Sequence, residues 1–187
     1  MKTQLRLLTI AFLSVLVFNS CSEDNDSNND TGGDLLGAWD MAEFNYSGTS
    51  SAEFQGIDIT TEYDGVGTNI DAQMNITENP NEILFSGSYD IDLTVMFQGQ
   101  TQTQTFPIDN AQSVSTWTRS GNTLTVEGEF VSVEGTDLNQ AEIQTQEYII
   151  EELTDDTLVL TTTTVQEINQ QGVTSTVTVD LYARFTR

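Results

Sequence analysis

The sequence predicts an all-β fold: an antiparallel up-and-down β-barrel of about eight to ten strands, with a β-sandwich as the alternative. Two observations carry that expectation. Apolar and polar residues alternate with a period of two over long stretches rich in valine, isoleucine, threonine and aromatics, and tight polar turns punctuate those stretches. No segment reads as a helix of three turns. Strands joined mainly by hairpins must hide their edges, and closure into a ring does so completely.

The elements follow from the alternation. Ile83 and Phe85, then Tyr89, Ile91, Leu93, Val95 and Phe97, alternate with polar residues. In TWTRSGNTLTVEGEFVSV, Gly121-Asn122 marks a hairpin, and Leu124, Val126 and Phe130 share one face of the second strand. EYIIEELTDDTLVLTTTTVQEI turns at Asp155-Asp156. INQQGVTSTVTVDLYARF turns near Gln171-Gly172 into Val173, Val177, Val179, Leu181, Ala183 and Phe185. The expected strands are 36–46, 53–63, 68–78, 82–99, 102–108, 112–119, 123–133, 142–152, 157–168 and 173–186, with one sheet face buried. Pro80 and Pro107 sit where strands begin or break.

Ahead of this domain the pattern changes. Lys2 and Arg6 give a basic start, and Leu7 to Phe18 is an almost wholly apolar run without charge. Twelve helical residues rise only about 18 Å, short of the roughly 30 Å hydrocarbon core, so the run is expected to be an export signal rather than a membrane span. The expected organisation is a signal peptide over 1–20, an acidic disordered tether over 21–34, and one domain over 35–187. The tether is rich in Asp, Asn and Ser and has too little apolar surface to offset the entropy of ordering. Asp26, Asn28 and Asp30 alternate like the first ligands of a calcium loop. Such a loop needs glycine sixth and glutamate twelfth, where this chain has Thr31 and Gly37, so no metal is expected there.

Phe18-Asn19-Ser20-Cys21 resembles a bacterial lipobox, which implies that Cys21, the only cysteine, is lipidated as the first mature residue. Two or three acyl chains would make the anchor effectively permanent. The acids behind it resemble the surface-export signal of Bacteroidetes-type lipoproteins. That implies an outer-membrane lipoprotein exposed at the cell surface, with the periplasmic face as the alternative. LLGAWDMAEF opens the domain with Gly37-Ala38-Trp39 and LYARFTR closes it with Arg184, which resembles the lipocalin pattern. GVGTNIDAQMNITENPNEILFSGSY, WTRSGNTLTV and IIEELTDDTLVLT are similar to the lipocalin-like domain of many Bacteroidetes lipoproteins. The resemblance implies barrel closure by Gly37, Trp39 and Arg184, with the indole plugging one end and the guanidinium stacked on it.

Charge and absences bound the function. All 29 acids follow Cys21 and are opposed in the mature chain only by three arginines, Arg119, Arg184 and Arg187, a net charge near −26. Such a surface repels phosphate backbones, so nucleic acid is excluded as a partner. The membrane is expected to be met through the lipid anchor only, and the oligomeric state stays open. There is no histidine, and the mature chain has no lysine and no cysteine beyond the anchor. Triads, Schiff-base lysines, His/Cys zinc sites and disulfides are therefore out of reach. Only carboxylates remain for catalysis. The pairs Asp90/Asp92 and Glu127/Glu129 each share a strand face opposite apolar neighbours, and both are expected to be solvated. The expectation is a non-catalytic, cofactor-free binding module for a small apolar or sugar ligand, its barrel interior or mouth lined by Tyr89, Phe97, Trp117, Phe130, Tyr148 and Tyr182. The alternative is an adhesion or accessory subunit of a surface complex, and a carboxylate-based glycan hydrolase ranks last.

Overall fold

The computed structural model describes residues 32–54, 56–128, 145–170 and 173–187. The expected signal peptide, Cys21, nearly all of the expected tether, Glu129, Phe130 and the expected turn at Gln171-Gly172 lie outside the described residues. Eight strands follow in order: β1 (Gly37–Phe54), β2 (Ile57–Thr77), β3 (Glu82–Phe97), β4 (Gln100–Ser120), β5 (Thr123–Glu127), β6 (Thr145–Leu153), β7 (Thr157–Gln170) and β8 (Val173–Thr186). Each pairs antiparallel with the next, and β1 pairs with β8, so the sheet closes on itself as a barrel-like ring. That closure removes the sandwich alternative.

Ten expected strands become eight because two expected breaks are bulges inside continuous strands. From Ile57 on, the expected 53–63 segment is one strand with 68–78, β2, while Glu53 and Phe54 end a β1 that runs past its expected stop at 46; 102–108 with 112–119 are one strand, β4. In β2, Tyr63 and Gly65 face the core, and beyond a register shift between Thr68 and Asp71 the inward residues are Ala72, Met74 and Ile76. Parity has flipped. The β3–β4 ladder shifts in the same way between Gly87 and Tyr89. A reader counting by two meets a break at each flip, although the chain runs on.

These irregularities sit side by side. Asn69 has φ 50°, Gly87 φ 139° and Asn110 φ 55°, on three neighbouring strands. Asparagine and glycine are the residues that tolerate such backbone. The Asn69 amide donates to Asp90 Oδ2 at 2.6 Å, and the Asn110 N–H donates to Ser88 Oγ at 3.2 Å, so the bulges are pinned to one another. A bulge bends its strand and increases local twist. Two such bulges, on β2 and β4, with Gly87 between them on β3, let strands as long as 21 residues curl into a ring.

Both ends of the described chain lie at one end of the ring, which is sealed. Trp39 is fully buried, and its Nε1–H donates to the Leu35 carbonyl at 3.0 Å. The Arg187 guanidinium stacks over the indole, 3.8 Å from the ring centroid, and donates to the carbonyls of Asp34 and Leu36. Gly37 opens β1 at φ 113°, a conformation that effectively requires glycine.

Arg184 does not take the stacking place. Ala183 and Phe185 are fully buried, so strand alternation sends Arg184 outward, where its Nη2 meets the Glu43 carboxylate at 2.5 Å. That hydrogen bond and charge raise the Arg184 pKa. Arg187, one residue past β8, is free to fold back over the end of the ring. Arg187→Ala is expected to lower the unfolding free energy by about 1 kcal/mol in urea, through loss of the cation–π contact and its hydrogen bonds. Arg184→Ala should leave stability nearly unchanged, because an exposed ion pair contributes little.

Candidate functional site

From the sealed end, aromatic side chains fill the ring in a continuous column. Phe85, Tyr89, Phe44, Tyr46 and Tyr63 follow one another with centroid separations of 6.3, 5.9, 6.0 and 6.5 Å, edge-on or tilted. Two glycines make room. The Tyr46 ring lies where a side chain at Gly65 would be, and the Tyr63 hydroxyl passes Gly48 to donate to the Thr178 carbonyl at 2.6 Å. Tyr148 is also buried, and its hydroxyl donates to Gln146 Oε1 at 3.0 Å. Gln146 Nε2 in turn donates to Thr164 Oγ1 at 2.9 Å, a polar run up the β6–β7 wall.

Above Tyr63 the interior changes character. Register places Phe97, Thr61, Ser50, Val177 and Gln166 side by side on one inward rung across β3, β2, β1, β8 and β7. The next rung outward carries Ile59, Ala52, Ser175 and Ile168. Val177 is fully buried, but cover thins toward the β2–β3 side: Phe97 is 41% exposed, and Ile57 at the rim 65%. On the first of these rungs the Gln166 Oε1 atom is buried and has no hydrogen-bond partner among the described residues. A buried carbonyl left unpaired costs about 1–3 kcal/mol. Among the described residues, β4 upstream of Thr116 is laddered only to β3.

The expected aromatic set is not brought together. Tyr89 and Tyr148 are core residues, Phe97 sits at the mouth, and Tyr182 lies on the outer face. Trp117 is half-buried near the other end, its Nε1–H donating to the Thr77 carbonyl at 3.0 Å. Reading by composition alone missed Tyr63, Gln166 and Arg187, because what they do depends on cross-strand register.

The carboxylates lie outside. Asp90 accepts from Asn69, and Asp92 accepts from Thr105 Oγ1 at 2.6 Å. Thr161 donates to Glu151 at 3.0 Å, and Thr163 donates to Asp180 at 2.5 Å. Threonine hydroxyls thus do for these acids what lysines do on other surfaces. Among the described residues no three carboxylates converge as a metal ion requires. Two shallow outer depressions of about 380 and 400 Å³ adjoin one another and share Ser47, Asp64 and Asp180.

The chain matches no protein-family model, no curated protein and no solved structure.

Burial, and after it the Asp180 charge, push the Tyr63 hydroxyl up to about 12. Burial raises Tyr148 as well. The unfolded tyrosines ionise near pH 10, so above that the unfolded state binds fewer protons than the folded one, and stability falls as pH rises through 12. Below pH 10 this contribution is fully present. Tyr63→Phe should cost about 1 kcal/mol at neutral pH through the lost hydrogen bond and make the decline between pH 10 and 12 shallower, as read from urea midpoints across pH.

Proposed function

We propose that this protein is a lipid-anchored, cell-surface binding module that holds a small, largely apolar ligand in the mouth of its barrel, without catalysing a reaction. The observation that carries the reading is the contrast between the two ends. One is sealed by Trp39 and Arg187, and the other presents Ile57, Ile59, Phe97 and Ile168 around the unpartnered Gln166 carbonyl. Apolar walls with few convergent polar groups are the usual form of a ligand site. The acceptor at Gln166 selects a ligand that carries a hydroxyl or N–H.

Tether and fold agree on orientation. Leu35 leaves the ring at the sealed end, so anchoring through Cys21 turns that end toward the membrane and the mouth away from it. The absence of histidine, of mature lysine and of a thiol beyond the anchor supports a non-catalytic role. An accessory role in a surface complex would use the outer face instead.

Native mass spectrometry of the mature protein from its own host tests the reading. The expected result is a co-purifying small molecule with a hydroxyl or N–H, displaced by 1-octanol. Gln166→Leu should weaken octanol binding by roughly three- to tenfold, the worth of one hydrogen bond. A bare protein mass together with no thermal shift in octanol contradicts it.

A further inference from the structure

We infer a second binding site, distinct from the mouth: the outer trough over β7, β8, β1 and β2 takes a neutral glycan. Register builds it from two neighbouring rungs. The first sets Ile149, Thr161, Tyr182 and Asn45 in a row, and the second sets Thr163, Asp180, Ser47 and Asp64 in a row. Short side chains such as Ser47, Thr161 and Thr163, set around Tyr182 and Asp180, leave the two joined depressions of about 380 and 400 Å³. Each is at the lower end of the size range of small-molecule sites.

The chemistry matches a sugar ring better than other occupants. Tyr182 is half-buried, so its position is held while one part of it stays open to the trough. An aromatic face receives the C–H face of a pyranose, and carboxylates and an amide around it receive the hydroxyls. Asp180 is oriented for this by Thr163, whose hydroxyl donates to one carboxylate oxygen, Oδ1, at 2.5 Å. Hydrogen bonds to ionised acceptors are the stronger kind. Asp64 stands one strand beyond Ser47, and Asn45 adds both a donor and an acceptor. An apolar ligand would desolvate both carboxylates and offer neither a hydrogen bond. An anionic glycan would meet a net charge of −24. A basic peptide would gain little from this place in particular, since acids are spread over the whole exterior while the aromatic and amide are here.

Affinity electrophoresis of the mature chain through gels containing xylan, mannan, dextran or a mixed-linkage β-glucan tests the site. Retardation by at least one of these is expected, unchanged by 0.5 M NaCl or by EDTA, with none in polygalacturonate. Tyr182→Ala should weaken retention at least tenfold and Asp180→Asn severalfold, while Tyr182→Phe keeps most of it. Both side chains are on the outer face, so thermal midpoints near wild type should accompany these losses. Failure of every neutral polysaccharide to retard the protein overturns the inference, as does wild-type retention by Tyr182→Ala. So does retention by polylysine alone that salt abolishes, which would make the trough a docking place for basic peptide. None of these results bears on octanol binding at the mouth.

Discussion

A sheet with strands up to 21 residues long closes into a ring only if it bends sharply, and the belt at Asn69, Gly87 and Asn110 is where this one bends. Everything else depends on that constraint. Because a bulge adds one residue to one strand, it reverses which residues face inward from there on. The same strand therefore turns one parity of residues inward below the belt and the other above it. Below, β2 contributes Ala72, Met74 and Ile76; above, it contributes Tyr63, Thr61 and Ile59. β3 needs no such reversal, and its alternation from Ile83 to Leu93 stays buried throughout.

Aromatic packing carries the consequence into an asymmetry between the ends. Phe85, Tyr89, Phe44, Tyr46 and Tyr63 each hold the next at an angle, and Gly65 and Gly48 exist where those rings need space. The sealed end is reinforced from both termini, since Arg187 joins the last strand to the carbonyls just before the first. Outside, threonines opposite aspartates and glutamates let a lysine-free surface carry many acids without isolating their charge.

Much of this was legible in the chain itself. All-β class, antiparallel order and the turns at Gly121-Asn122 and Asp155-Asp156 follow from local pattern, whereas the placing of Trp39 inside the ring rests on the lipocalin resemblance. The inserted breaks in β2 and β4 came from counting strictly by two, which cannot distinguish a turn from a bulge. Asn69 and Asn110 were the available signals, being residues at home at positive φ. Arg184 was assigned to Trp39 by resemblance to the lipocalin pattern. The alternation around it, Ala183 and Phe185 inward, already points it out of the ring. The mouth rung and the outer trough were not legible, because each gathers residues from several strands whose relative register no local pattern reports.

Among the described residues, this ring is packed and sealed at one end and more exposed at the other. Native-state hydrogen exchange, residue by residue, addresses it most directly, since amides in packed regions exchange only through global opening. The account predicts that the amides of Trp39, Leu124, Ile150 and Phe185 share the highest protection, and that those from Gln100 to Phe106 exchange through far cheaper local opening. Equal protection at the two ends would contradict it.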